Sequence, residues 1–304
     1  MRPESPANPH NAFVKGMLES KDTACCFFKH YLPQNIHSQL DYKTLEILKD
    51  SFIDKELSQH FTDILYRIKL SGTSAFLYLL FEHKSYIDRL VGFQLLRYMV
   101  KIWENYRKQN RQAKQLPVIL PFVLYHGKSK WSVSNRLKPL FEGIPFTEKY
   151  LPDYEFEIVD ISHIPDDQIK GELLVRAFLL LLKYNDNKTL FNALPGIFHL
   201  VHGLSNDVKS TEYIEMFLRY LMATVEKDMK HDLAKEIKKS LKERGDIMPT
   251  IAEELIREGL EKGKIEAAEK MIAKGMSNAD IRDITGLSIK KIEEIRKANK
   301  RANL

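Results

Sequence analysis

Residues 61–85, FTDILYRIKLSGTSAFLYLLFEHKS, contain the clearest structural signal in the chain. Apolar and polar residues alternate over 62–70, which is the pattern of a half-buried strand. Ser71-Gly72-Thr73 is typical of a turn, and an almost continuous apolar run follows at 75–81. These residues therefore predict a β-hairpin whose second strand is buried.

Three charged residues lie at the open end of this predicted hairpin: Asp63, Glu82 and Lys84. Alternate residues of a strand share a face, so Glu82 and Lys84 point the same way while His83 points away. Asp63, near the start of the first strand, can lie opposite them. The three residues therefore form one candidate cluster.

Two neighbouring carboxylates repel each other unless a divalent cation joins them, and Mg²⁺ accepts oxygen ligands of this kind. A lysine beside that metal could orient or help deprotonate a water that attacks phosphorus. The same residues could instead form a solvated face or a salt bridge. The position of Glu82 after a buried apolar run favours the metal site, because a charged residue at the end of a buried strand is costly unless it is paired or binds a metal.

The surrounding sequence predicts an α/β core, a mixed sheet flanked by helices. A long unbroken apolar periodicity at 89–106 indicates a helix packed on the sheet, and strands are predicted at 118–125 and 156–161. A buried helix is predicted at 173–182. Two further stretches have helical patterns, 11–31 and the more polar 42–48.

The C-terminal third is predicted to be all-helical. Helical spacing covers 212–242, and the Gly- and Pro-containing break at 245–249 marks a domain boundary. We therefore divide the chain into a core domain at 1–204, a helical connector at 205–248 and a separate module at 249–304.

The spacing of apolar and capping residues at 249–304 is typical of a helix-turn-helix. Ser277 with Asp280 resembles a capping box, Gly286 is suited to end that helix, and Ser288 can begin the next. The last helix is rich in basic residues that could contact phosphates or enter a groove: Lys290, Lys291, Arg296, Lys297, Lys300 and Arg301. Units of this kind also mediate self-association, and lysine-rich faces are often merely solvated.

Bulk properties exclude several classes of protein. The net charge of +6 and the pI near 9.0 are compatible with a polyanionic partner, although many basic proteins bind no nucleic acid. No apolar run is long enough to span a membrane, and the beginning, MRPESPANPH, does not resemble a signal peptide, so we expect a cytoplasmic protein. Cys25 and Cys26 are adjacent, which argues against a disulfide or a metal-ligand spacing. Glycine-rich nucleotide-binding motifs and zinc-protease motifs are absent from the sequence.

Four blocks, in order, resemble the recombination-promoting nuclease (Rpn) family, also called the YhgA-like transposase family: FTDILYRIKL, LLFEHKS, FQLLRYMVKIWENY and LPVILPFVLYHGKSKW. The resemblance is strong over 11–184. It implies the restriction-endonuclease-like fold of the PD-(D/E)XK superfamily. By this resemblance Asp63 and Glu82 are metal ligands, Lys84 is the catalytic lysine, and the backbone carbonyl of His83 is a further ligand.

Further residues follow from the same resemblance. Gln94 occupies the helix on which many PD-(D/E)XK families keep a glutamine that faces the site, and Arg97 and Tyr98 follow one turn later on the same face. Gln94 could order water or phosphate and Arg97 could grip phosphate, or either could simply make polar contacts at a domain edge. His126 and Trp131 match a family motif, which we interpret as structural. Asn11 stands where the family has an aspartate after its histidine, and this change is expected to weaken a metal site if that acid assists binding.

The sequence thus predicts an endonuclease that hydrolyses phosphodiester bonds of double-stranded DNA and is linked to DNA breakage and recombination. Mg²⁺ is the expected metal, with Mn²⁺ or Ca²⁺ as alternatives. A homodimer would be the simplest route to a double-strand break. The alternatives are a catalytically silent DNA-binding or mobile-element protein, and a transposase proper, although the usual three-carboxylate transposase core is not evident.

Overall fold

The structure, a computed structural model, describes residues 8–48, 62–82, 87–143, 147–184, 186–205, 207–226, 229–241, 257, 261 and 263–302. The strands are β1 (Leu40–Leu48), β2 (Thr62–Leu70), β3 (Thr73–Glu82), β4 (Val118–Tyr125) and β5 (Glu157–Asp160). The helices before β5 are α1 (Pro9–Leu18), α2 (Lys21–Tyr31), α3 (Gln34–His37) and α4 (Val91–Gln109). After β5 follow α5 (Leu173–Lys183), α6 (Asn187–His202), α7 (Val208–Thr224), α8 (Lys230–Leu241), α9 (263–273), α10 (Asn278–Thr285) and α11 (Ile289–Ala302).

The five strands form one mixed sheet in the order β1-β2-β3-β4-β5. Strands β1 to β3 are antiparallel, and β4 and β5 continue the sheet in parallel with β3. Leu70 pairs with Thr73, so the β2–β3 turn consists of Ser71 and Gly72, both with positive φ. That two-residue turn matches the right-handed twist of the strands. The predicted hairpin and the predicted α/β class with a mixed sheet are confirmed.

Helix α4 covers one face of the sheet, which we call the α4 face. The helix connects β3 to the parallel strand β4, and it buries Val91, Leu95, Tyr98 and Ile102 against the sheet. The strand residues in this cluster include Leu65, Phe76, Tyr78, Leu80, Val123 and Tyr125. The predicted long helix and the strand after it are thus confirmed, and α4 lies where it can present side chains to the carboxyl end of β3.

The opposite face, which we call the aromatic face, is covered by α1, α2 and α5. The ring of Phe28 lies edge-on to Tyr66 at 5.2 Å and to Phe122 at 5.8 Å between centroids. Phe13 of α1 packs edge-on against Phe178 of α5 at 5.3 Å. The Tyr66 hydroxyl donates a hydrogen bond to the Leu18 carbonyl, so this buried polar atom has a partner.

One element was predicted wrongly. Residues 42–48 belong to β1 and not to a helix. The register with β2 shifts between Asp41 and Glu46, as at a β-bulge, and the bulge interrupts the two-residue alternation. Buried Leu45 and Leu48 are consequently three residues apart, a spacing that imitates a helix face.

Two long helical predictions each consist of two helices. The predicted 11–31 helix is divided into α1 and α2 at Ser20, whose ψ of 124° is extended. The predicted 212–242 helix is divided into α7 and α8 after Val225, which has an extended ψ of 139°. In both cases an extended residue follows the first helix, although the apolar spacing of the sequence continues on either side of it.

The chain divides into two compact units. The first comprises residues 1–185 and 195–205, and it contains the whole sheet. The second comprises 186–194 and 206–304, so the assignment changes within α6 at Pro195. The division that we predicted at 204/205 and 248/249 stays a prediction, and the break at 245–249 lies outside the described residues.

The second unit ends in a three-helix module, α9 to α11, with its own small core of Ala268, Ile281, Leu287, Ile292 and Ile295. Ser277 caps α10 by accepting a hydrogen bond from the Asp280 amide at 3.1 Å. Gly286 ends the helix in the left-handed conformation with a φ of 70°. These caps are the ones that the sequence predicted.

Among the described residues, no helix combines the length and apolar character that crossing a bilayer requires.

Candidate active site

The backbone register brings Asp63 and Glu82 to neighbouring positions. Asp63 pairs with Leu80 across the hairpin, and Glu82 lies two residues beyond Leu80 on β3. Directly opposed residues share a face, and so do alternate residues of one strand. The positions of Asp63 and Glu82 are therefore diagonal neighbours on the face that carries Leu80, which is the α4 face.

The chemistry at these positions stays a prediction. The side chains of Asp63 and Glu82 lie outside the described part of the chain, as do all atoms of His83 and Lys84. Among the described residues, no three His, Cys, Asp or Glu side chains are grouped so that they could hold a metal ion. The structure therefore fixes the backbone frame of the predicted site.

Gln94 lies in the second turn of α4 and is partly buried. Because α4 joins two parallel strands, it runs back along the sheet and its first turns lie nearest the carboxyl end of β3. One turn after Gln94, the ring of Tyr98 packs 5.3 Å from that of Tyr78. Gln94 is therefore on the side of Tyr98 that is closer to Glu82.

The side-chain amide nitrogen of Gln94 is buried and has no hydrogen-bond partner among the described residues. An unsatisfied buried amide costs about 1–3 kcal/mol, so such a group in a native protein usually binds water or a ligand. This atom is the described polar group that best fits a water or phosphate ligand at the predicted site.

The prediction that Arg97 shares a face of α4 with Gln94 and Tyr98 is wrong, because Tyr98 is buried against the sheet and Arg97 is not. It is exposed, and its guanidinium has no ion-pair partner within the described ranges. Near the start of the same helix, Arg89 lines a cleft of about 260 Å³ together with Gly92, Ser132 and Arg136. Arg136 is held there by Asp153 at 2.6 Å and Glu155 at 3.4 Å.

The basic residues predicted to contact DNA in the last helix differ from one another. Lys290 and Lys291 are exposed, and Lys291 lies 3.7 Å from Glu294. Arg296 instead donates hydrogen bonds to the Asn278 side chain at 2.7 Å and to the Met276 carbonyl. Arg296 therefore joins α11 to the start of α10 and is not available for phosphate contact.

The loop after β4 is tightly held. The register pairs Tyr125, the last residue of β4, with Glu82 on one side and Asp160 on the other. The Tyr125 hydroxyl donates to the Ser129 carbonyl at 2.9 Å, and the Trp131 amide donates to the Asp160 carboxylate at 2.8 Å. The Trp131 ring lies edge-on to the Tyr125 ring at 5.0 Å. Trp131 thus has the structural part that the sequence suggested.

His126 is fully buried at the end of β4 on the aromatic face. Its ring is nearly parallel to that of Phe81 at 6.4 Å, and the ring of His10 lies 5.2 Å away. His10 and Asn11 are in the first turn of α1. The effect of Asn11 on metal binding stays a prediction.

Sequence reasoning missed Asp160 and His163. Asp160 accepts from the Trp131 amide and also lies 2.9 Å from the His163 ring nitrogen. Its carboxylate thus joins two loops at the end of the sheet. An acid that ends an apolar strand was the available signal, and it resembles the signal that singled out Glu82.

Comparison with known proteins identifies relatives over most of the chain. The family model described as "Putative transposase, YhgA-like" matches residues 8–214. The recombination-promoting nuclease RpnA of Escherichia coli K12 is 28% identical over 289 residues, which are 95% of this chain and 97% of RpnA. RpnD of Escherichia coli O157:H7, a recombination-promoting nuclease, is 26% identical over 82% of this chain and 94% of its own length.

A third relative is described as inactive. The inactive recombination-promoting nuclease-like protein RpnE of Escherichia coli K12 is 26% identical over 90% of each chain. No solved structure matches this protein. Since the family model covers the whole sheet, α4 and the helices up to the first half of α7, which is more than half of the sequence, the chain belongs to the YhgA-like transposase family.

Proposed function

We propose that this protein is a metal-dependent endonuclease that hydrolyses phosphodiester bonds of double-stranded DNA. The observation that carries the proposal is the register of the hairpin, in which Asp63 and Glu82 occupy diagonal positions on the α4 face. At that spacing two carboxylates can share one divalent cation. The recombination-promoting nucleases RpnA and RpnD, which align over most of this chain, support the same function.

The donor set fits a hard divalent cation. Asp63 and Glu82 would hold Mg²⁺, or Mn²⁺ or Ca²⁺ in its place, with the His83 backbone carbonyl as a further ligand. When bound, such an ion would supply positive charge that stabilises the negative charge developing on the phosphate oxygens and would lower the pKa of water. Lys84 would orient the attacking water, and the Gln94 amide would hold water or a phosphate oxygen beside it.

A second candidate is a catalytically silent DNA-binding protein. It is favoured by RpnE, which is named inactive although it is about as similar to this chain as RpnD is. Asn11 points in the same direction, because it removes an acid that the family pattern contains. The transposase of the family name is a third possibility, and it differs from a nuclease in joining strands as well as cutting them.

Cleavage of supercoiled plasmid by the full-length chain separates these candidates. The nuclease predicts nicked and linear products with Mg²⁺ or Mn²⁺ and none with EDTA. Asp63→Asn, Glu82→Gln and Lys84→Ala should each lower the rate at least about 100-fold. The matched controls are Glu104→Gln and Lys101→Ala on the exposed side of α4, where the two side chains form an ion pair at 3.6 Å. Both variants should cleave at the wild-type rate, because this pair lies outside the proposed site.

The other outcomes identify the alternatives. A gel shift without cleavage under any metal indicates the silent binder, and restoring the acid with Asn11→Asp then tests whether position 11 is the cause. Joined strands indicate a transposase. We also place the protein in the cytoplasm and expect a two-fold dimer for double-strand cuts, which sedimentation of the protein with and without DNA would test.

A further inference from the structure

The segment 126–131, HGKSKW, follows β4 at the same end of the sheet as Glu82, and we call it the β4 loop. We infer that the β4 loop binds the phosphate backbone of the nucleic acid, with Lys128 and Lys130 as the contacting residues. This inference rests on the proposed function, because it assigns the residues that would position the DNA substrate.

The β4 loop begins beside the predicted metal site. Glu82 and Tyr125 are directly paired between parallel strands, so the loop starts about 5 Å from position 82. Tyr125 belongs to the cluster on the α4 face, and its hydroxyl binds the carbonyl of Ser129. The loop therefore folds back over the face on which Asp63 and Glu82 lie.

Close contacts fix the conformation of the loop. A Cβ atom at Gly127 would lie 2.1 Å from the Tyr125 hydroxyl oxygen, which only glycine avoids. At its far end the loop is held by Trp131, whose amide binds Asp160 and whose indole nitrogen donates to the Val133 carbonyl at 2.7 Å. A loop held at both ends loses little conformational freedom when it binds a ligand.

The part of the loop that these contacts leave outside is basic. Lys128, Ser129 and Lys130 are exposed, while Gly127 and His126 are buried. Neither ammonium group has an ion pair or a hydrogen bond within the part of the chain that the structure describes. Two unpaired cations on a rigid loop are suited to phosphates, whose contacts position a protein on DNA without reading its sequence.

The proposed phosphate contact accounts for the arrangement of the β4 loop. His126, Gly127 and Trp131 pack inward and hold the loop in place, whereas Lys128 and Lys130 between them are exposed to solvent. A scissile phosphate near Asp63 and Glu82 has neighbouring phosphates on the same strand, and the β4 loop is the adjacent basic segment. The loop would thus hold the strand while the hairpin carries the chemistry.

The test is DNA binding by the full-length chain in EDTA, so that no strand is cut. A fluorescent duplex is titrated between about 50 and 200 mM salt with wild type and with the double variant Lys128→Ala/Lys130→Ala. Each lost phosphate contact lowers the slope of log affinity against log salt by about 1, so the slope should fall by about 2, with a several-fold loss of affinity. The loss should be similar for duplexes of different sequence.

The control is Lys235→Ala/Lys239→Ala, which removes the same charge from α8, where both lysines are exposed. It should keep the wild-type slope. An unchanged slope in the loop variant, or an equal fall in the control, overturns the role of the loop. Either result would leave the nuclease proposal standing, which fails separately if wild type cuts no DNA with any metal.

Discussion

The two faces of the sheet differ in the side chains that they bury. On the aromatic face, rings from α1, α2 and α5 pack against one another and against strand residues, and the hydroxyl of Tyr66 donates to the Leu18 carbonyl. On the α4 face, the packing near the carboxyl end of β3 includes the side-chain amide of Gln94, whose nitrogen has no partner among the described residues. The aromatic face thus contributes mainly to stability, whereas the α4 face places a polar group close to the predicted site.

The largest effect is expected on the aromatic face. Phe28→Ala should lower the free energy of unfolding by about 3–5 kcal/mol, because it removes a fully buried ring that contacts Tyr66 and Phe122. Chemical denaturation measures the change, and Phe28→Leu should cost less. DNA cleavage by the folded fraction should be unaffected. A loss below about 1 kcal/mol would mean that this face is loosely packed.

On the α4 face we expect the reverse: a substitution that slows DNA cleavage without lowering stability. Gln94→Leu should slow DNA cleavage about 100-fold, while the free energy of unfolding stays constant or rises, since an unsatisfied amide is removed from a buried position. The matched control is Gln109→Leu at the exposed end of the same helix. If Gln94→Leu were destabilising and fully active, Gln94 would be an ordinary structural residue and the contrast between the faces would disappear.

A smaller effect, on DNA affinity, is expected for a substitution that loosens the β4 loop but not for a similar one elsewhere on the α4 face. Tyr125→Phe removes the hydrogen bond to Ser129 and should cost about 1 kcal/mol of stability together with a few-fold loss of DNA affinity. Tyr154→Phe removes a hydroxyl that donates to the Gly92 carbonyl on the same face. It should have a similar cost in stability and no cost in affinity. Equal affinities for the two variants would contradict a role for the loop in binding.

The smallest expected effect is on folding stability at low pH, through the carboxylate of Asp166. Partial burial raises the pKa of Asp166, but hydrogen bonds from Lys183 and Tyr184 outweigh it and leave the pKa below its ordinary value near 3.8. Stability from Asp166 is therefore present above pH 3.8 and is lost as the pH falls through the lowered folded value.

Because the Asp166 side chain is half-exposed, the contribution is a few tenths of a kcal/mol. Denaturation of wild type and Asp166→Asn should differ at pH 7 and converge as the pH falls below the lowered folded pKa of Asp166. Asp167→Asn, whose carboxylate has no hydrogen bond in the described ranges, is the control. A difference that persists in acid would assign the effect to something other than the carboxylate charge.

The hairpin was predictable from sequence because its signals are local. Alternation over 62–70 and a turn at Ser71 and Gly72 need no knowledge of the rest of the fold. Strand β1 was missed because its bulge is fixed by pairing with β2, which no local pattern records. The same distinction applies to the site. The positions of Asp63 and Glu82 follow from the hairpin, whereas the brace between Trp131 and Asp160 joins residues that are far apart in sequence.

The parallel pairing of β3 with β4 has a consequence for the order in which the protein assembles. Strands β2 and β3 are joined by two residues and can pair as soon as both are synthesised, whereas β4 must wait until the whole of α4 has been made. The positions of the two predicted metal ligands therefore meet early, and the β4 loop and Gln94 reach them late. Under the proposed function, the active site would therefore be incomplete until β4 and the β4 loop have been synthesised.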